Sequence, residues 1–168
     1  MSIGLYNIIA DDVLIEDNVT IGNFNIIASG TKIRKGTIVG NYCDIGKNND
    51  IGVNSIIQGR VRTASNCVIE QNVTIKYGTI LTESVLLKEG CFLGPHTITL
   101  GSTHKRITKH GTIIGKHTYI GAGSKIAADI KIGDNIVVCA RNVLGLIWIW
   151  GKRVDAGRRC KRSRHMLA

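Results

Sequence analysis

Proline is almost missing from this 168-residue sequence, with one residue in the chain, and aromatic side chains make up only 5% of it. So little proline excludes a proline-rich linker chain, and it also excludes a collagen-like one, which needs both proline and glycine at every third position. No uninterrupted apolar run approaches the roughly 18 residues that cross a bilayer as a helix. The opening MSIGLYNIIADD has neither a basic stretch nor an apolar stretch followed by a cleavage site, so a cytoplasmic location is expected. The five cysteines form no C-x-x-C pair. An odd count without that spacing suggests neither a disulfide framework nor a zinc knuckle, and fits a reducing compartment.

Acidic residues are also scarce, 12 against 22 Lys and Arg. The excess is uneven, because the last 17 residues, from Lys152, hold seven of the basic residues and one acid. A terminal run of this kind reads as a solvated tail, and the body is only mildly basic. Aromatic and basic residues are not interleaved on any recognisable nucleic-acid module, so no nucleic-acid partner is expected.

What the chain has in abundance is period. Ile9, Ile15, Ile21, Ile27, Ile33, Val39, Ile45, Ile51, Ile57, Thr63, Ile69, Ile75, Leu81, Leu87 and Leu93 stand six apart, with Thr63 the one polar exception. The pattern resumes at Ile114, Ile120, Ile126, Ile132, Val138 and Leu144. A second set, four residues after each aliphatic, is small or β-branched, as at Val19, Thr31, Cys43, Cys67 and Cys91. The residue directly after the aliphatic is often Gly or Ala, where a tight turn is expected. Six matches neither the 3.6 period of a helix nor the 2 of a simple strand, but it fits short strands joined by sharp corners. Three hexads close one triangular coil, and stacked coils pair as parallel strands about 4.8 Å apart. Cys43, Cys67 and Cys91 then face inward as core residues, and Asn25 and Asn49, in the same slot, must hydrogen-bond within the stack.

This pattern, [LIV]-[GAED]-x-x-[STAV]-x, resembles that of the hexapeptide-repeat acyltransferases from Ile9 to Leu144. The resemblance implies an all-β fold, a left-handed parallel β-helix of about seven coils with one extruded loop and a short C-terminal extension. The expected division is a β-helix domain over 1–144, with the loop at about 100–112, and a basic extension over 145–168. From Leu93 to Ile114 is 21 residues, one coil of 18 plus three, and loops of this kind often carry function.

The extruded stretch holds His104 and His110, with His96 and His117 nearby, each three residues after an aliphatic and so expected to face outward. A loop imidazole can take a proton from a hydroxyl or amine near neutral pH. The stretch VLLKEGCFLGPHTITLGSTH, Val85 to His104, resembles the galactoside and maltose acetyltransferases, which implies His104 as the general base. Where those enzymes often continue His-Pro, Lys105 follows here. IEQNVTIKYG, Ile69 to Gly78, with Gly94-Pro95 resembles acetyltransferases of nucleotide-linked amino sugars and implies that Asn72 contacts the acceptor or the thioester. A turn residue supporting a coil corner is the alternative reading of Asn72.

IGAGSKI, Ile120 to Ile126, and VVCARNV, Val137 to Val143, look like the coils along which the family lays the pantetheine arm of acetyl-CoA. Gly121, Ala122, Gly123 and Ala140 are thereby implied at the donor site, with Lys125 and Arg141 near the coenzyme phosphates. Corner geometry alone is the competing account of the glycines. The family's closing Gly-x-Pro-Ala turn is absent, and LIWIW with the basic tail reads as a cap, a membrane-surface or phosphate contact, or a disordered end.

The implied activity is transfer of an acetyl group to a sugar or nucleotide-linked sugar, in a homotrimer with sites between its copies. ITLGSTHKR resembles serine acetyltransferase, which keeps a serine-type transfer open, and a non-catalytic scaffold is the alternative outside enzymes. The His-x4-His pair of the γ-type carbonic anhydrases is lacking, so no metal site is expected.

Overall fold

The computed structural model describes residues 1–101 and 111–145. His104, His110 and the extension from 146 onward lie outside the described residues. No helix among the described residues is long and apolar enough to cross a membrane.

The chain forms a left-handed parallel β-helix of two-residue strands. The first wall runs from Ser2–Ile3 through Thr20–Ile21 and Ile38–Val39 to Val137–Val138, eight strands in all. The second wall, also of eight, runs from Ile8–Ile9 to Val143–Leu144, and the third, of seven, from Leu14–Ile15 to Lys131–Ile132. Seven coils are complete and two strands of an eighth follow. The repeat starts one hexad before Ile9, because Ser2 and Ile3 pair with Thr20 and Ile21.

Each strand turns its second residue inward, and each corner adds one more inward residue. Ile21, Ile27, Ile33, Ile45, Ile51 and Ile57 are fully buried, and the small slot is filled by residues such as Val19, Cys43, Cys67, Val73 and Cys91. Burial of each large aliphatic contributes roughly 1.5–3 kcal/mol, so regular placement of one per strand makes the prism interior. Polar residues in the small slot are served by the neighbouring coil. The Thr31 and Thr37 hydroxyls donate to the Gly46 and Gly52 carbonyls, both at 2.9 Å, and the Ser55 hydroxyl to Glu70 at 3.0 Å.

The expected turn position needs correction. The left-handed backbone falls three residues after the aliphatic, at Asn18, Asn48, Asn54, Asn66 and Asn72 (φ 54–61°) and at Gly30, Gly36, Gly78 and Gly90. Glycine directly after the aliphatic has a different cause. A Cβ at Gly52 would lie 2.5 Å from the Glu70 carbonyl carbon, and one at Gly94 2.6 Å from the Ala122 nitrogen. Close stacking of coils, rather than a positive φ, selects glycine there.

The excursion is also longer than expected. Strand partners are 18 residues apart up to Ile80 with Ile98, then 27 apart at Leu86 with Ile113, and 18 again at Ile113 with Lys131. Nine residues are added, not three. They enter at the second corner, between Ile98–Thr99 on the second wall and Ile113–Ile114 on the third. The added residues leave the later coils in register.

Candidate functional site

Three corners join the walls, and the residues implied by the sequence divide among them. Asn72 is on the third corner, between the third and first walls. It is exposed, has φ 58°, and donates its N–H to the Val53 carbonyl at 2.9 Å. The donor candidates Gly121, Ala122 and Gly123 are on the first corner, with Ala140 and Arg141 one coil further along it. Lys125 follows as the outward residue of the second-wall strand Lys125–Ile126. The segment containing His104 leaves from the second corner. One chain therefore gathers the donor candidates in one place and separates them from Asn72 and from the root of the loop.

The two donor glycines have packing reasons of their own. A Cβ on Gly121 would strike the Ala140 nitrogen, and Gly123 sits at φ 69°. Ala122, half-buried, and Ala140, exposed, have no such explanation. They leave a strip of wall free of long side chains, with the exposed Lys125 and Arg141 beside it. Arg141 continues the stack through its N–H, which donates to the Ala122 carbonyl at 2.7 Å.

His96 and His117 are exposed at left-handed corner positions, φ 56° and 52°, facing outward as expected. The His96 ring lies against Gly78, where a Cβ would come 2.6 Å from Nδ1, and meets Tyr77 edge-on with centroids 5.8 Å apart. His117 lies against Gly90 in the same manner.

Cys43, Cys67 and Cys91 are free, buried thiols. Burial pushes Cys67 up to about 11 and Cys91 up to about 12, and raises Cys43. A thiol held protonated in the core is no nucleophile, which agrees with the reading of these cysteines as core. Asn49 forms the expected ladder: its Nδ2 donates to Gly46 O, Thr63 Oγ1 and Ala64 O, and its Oδ1 accepts from the Cys67 N–H at 2.7 Å. Asn25 Oδ1 accepts from the Cys43 N–H, also at 2.7 Å, but its Nδ2 has no partner.

Two open grooves accompany the corners. One, of 560 Å³, flanks the third corner near Asn72 and is acidic, lined by Glu16, Asp50, Glu70 and Glu89 around Arg34. Arg34 bridges Asp50 at 2.7 Å and Glu16 at 3.1 Å. The guanidinium holds the Asp50 carboxyl below its usual range. Glu16 is lowered first by the Lys35 N–H and then by Arg34. The second groove, of 640 Å³, lies where the first wall meets the first corner, beside Tyr42, Arg60 and Tyr77. Sequence reasoning missed it. The signal was present in the 18-residue spacing of Tyr6, Phe24, Tyr42 and Arg60.

No family model matches the chain. Among curated proteins it is similar to the bifunctional protein GlmU of Picosynechococcus, 26% identical over 109 residues, covering 60% of this chain and 24% of GlmU. The chain thus spans about a quarter of the length of that relative. Among solved structures it is similar to UDP-N-acetylglucosamine acyltransferase from Campylobacter jejuni, with TM-score 0.53 and 20% identity, covering 85% of this chain and 64% of the other. It is also similar to PerB from Caulobacter crescentus, solved with CoA and GDP-perosamine, with TM-score 0.50, 16% identity and coverage of 84% and 49%. At these identities the structural likeness is one of fold.

Proposed function

We propose that this chain, which resembles the hexapeptide-repeat acyltransferases in repeat and fold, moves an acetyl group from acetyl-CoA to a hydroxyl or amino group of a sugar or nucleotide-linked sugar. The observation that carries the reading is the strip at Ala122 and Ala140, clear of long side chains and flanked by two exposed cations, Lys125 and Arg141. A thin pantetheine arm fits against such a strip, and the cations face its phosphates. The similar proteins support the acceptor class, since one is a UDP-N-acetylglucosamine acyltransferase and another was solved with CoA and a GDP-linked sugar.

In the proposed reaction His104 takes the proton of the acceptor hydroxyl or amine as its oxygen or nitrogen attacks the thioester carbonyl carbon. Charge gathers on the carbonyl oxygen, where the Asn72 amide offers a hydrogen bond. The carbon–sulfur bond then breaks, and the coenzyme thiolate recovers the proton from the imidazolium. The separation of Asn72, the strip and the loop root on three corners supports a site completed between neighbouring copies. A homotrimer with closed symmetry supplies such junctions. The proposed location is cytoplasmic, where acetyl-CoA is available.

Calorimetry of acetyl-CoA with the full chain tests the reading without any choice of acceptor. Saturable binding in the micromolar to millimolar range, about −8 to −4 kcal/mol, is expected. It should survive His104→Ala, while turnover with an acceptor that the parent protein acetylates falls by about 10²-fold or more. No binding leaves the β-helix as a scaffold, a reading that the packing reasons for Gly121 and Gly123 favour.

A further inference from the structure

The first corner carries an arrangement that the transfer reaction leaves unused. The Tyr6, Phe24 and Tyr42 rings stack with centroids 5.0 Å apart at each step, and the Arg60 guanidinium continues the column 5.5 Å from the centre of Tyr42. All four occupy the left-handed position, φ 56–59°. On the other two corners that position holds Gly, Asn, Ser, Asp or His. Bulky residues are poorly suited to this backbone, so something other than the turn accounts for them. Ring stacking at the coil spacing accounts for the three aromatics. It does not account for an arginine that forms no ion pair among the described residues, nor for the groove beside it.

That groove has a consistent chemical character. Ile38 and Ile56 form an aliphatic side, and the half-exposed Tyr77 ring lies across it. Gly59 lies beside it, where a Cβ would come 3.1 Å from the Asn41 carbonyl oxygen and 3.6 Å, an ordinary contact, from the ring. Asn41 and Gln58 spend their amide oxygens inside the chain, accepting the Asn23 and Tyr77 N–H groups at 2.7 and 3.4 Å. Their NH₂ groups remain as donors. No carboxylate lines the groove, and Arg60 is its one charge. The groove at the third corner is the reverse, with four carboxylates around an arginine already held by two of them.

A half-exposed aromatic ring, amide donors and a guanidinium with no carboxylate partner among the described residues together suit a flat heterocycle carrying acceptor oxygens and an attached anion. We propose that this groove binds the nucleoside diphosphate portion of the acceptor, with the base against Tyr77 and the diphosphate toward Arg60. The assignment to an acceptor rests on the transferase reading above. The position agrees with it: Arg60 and Ala122 share the first corner, three coils or about 14 Å apart at about 4.8 Å per coil. A nucleotide-linked sugar lying along the corner would extend from the groove toward the donor strip.

The test is calorimetric titration of the full-length protein with UDP, CDP, GDP, ADP and inorganic pyrophosphate, and with acetyl-CoA in parallel. At least one nucleoside diphosphate should bind, and pyrophosphate at least about tenfold more weakly. Arg60→Asn keeps a residue tolerant of the left-handed backbone, and Tyr77→Leu keeps an apolar side chain. Each should weaken the nucleotide about tenfold or more while acetyl-CoA binding is unchanged, which also reports that the variants are folded. Acetyl-CoA binding without any nucleoside diphosphate binding overturns the groove and spares the transferase. Nucleotide binding unaffected by both variants, or equal binding of pyrophosphate, also overturns it. Displacement of the nucleotide by saturating acetyl-CoA overturns the acceptor assignment, because the groove then holds the coenzyme's own nucleotide. Nucleotide binding sensitive to both variants, with no acetyl-CoA binding, keeps the groove and removes the transferase.

Discussion

Asn49 and Asn25 occupy equivalent slots in the small inward column, yet they are not equivalent energetically. Replacing Asn49 with Ala strands the Cys67 N–H and deprives Thr63, Gly46 and Ala64 of a donor, all within the core. Each unmet buried group costs about 1–3 kcal/mol, and relaxation recovers part of the sum, so a loss of about 3 kcal/mol is expected. Asn25→Ala strands one N–H and also removes an Nδ2 that has no partner, for a loss of about 1 kcal/mol. Urea unfolding of the two variants, compared at unchanged m, reads the difference. The sequence made the inward slot of both residues visible, because the period of six places it. It did not reveal that one amide is satisfied and the other is not, since that depends on which hydroxyls and carbonyls the adjacent coil presents. Glycine was misread for a related reason. The same residue type answers a positive φ at one corner position and a close coil approach at another, and only coordinates distinguish the two.

At the scale of elements, the third corner binds three successive coils through Arg34, whose hydrogen bonds to Asp50 and then Glu16 raise its own pKa. Both carboxyls titrate lower in the folded chain than in the unfolded one. Their contribution is therefore complete above the unfolded carboxylate value near 4 and is lost as pH falls through the depressed folded values. The unfolding midpoint should decline below about pH 4 in the parent. In Arg34→Ala that decline should flatten, mostly through Asp50, because Glu16 retains the Lys35 N–H. Urea midpoints at several acid pH values measure it, and an unchanged slope would remove the triad as the cause. Here too the sequence was partly legible. The aliphatic registers before and after the loop were visible, but its length was not. Thr99 stands where an aliphatic was sought, and its buried hydroxyl serves Thr82. Counting from Leu93 passed over that strand and returned three extra residues in place of nine.

For the molecule as a whole, every described strand hydrogen-bonds only to the strands above and below it, so stability accumulates along one axis. A defect in the middle interrupts two interfaces, and one at an end interrupts a single interface. Ile57→Ala, with the side chain fully buried, is expected to cost about 3 kcal/mol. Ile9→Ala, only half-buried in the first coil, should cost about 1 kcal/mol. Denaturation midpoints test the ranking, and amide exchange should be slowest in the middle coils. The fold could be read from sequence because it repeats one local rule throughout. The proposed site was less legible, because its candidate residues stand on different corners, and no one-dimensional period records how corners are brought together.

The nine-residue excursion enters at a corner and leaves the register of every later coil unchanged. The prism therefore has something like a reading frame. Material inserted within a strand shifts all that follows, whereas material inserted at a corner is spliced out of the count. Chemistry can accordingly be exchanged at the second corner, by lengthening, shortening or replacing the segment there, without asking the scaffold to fold anew.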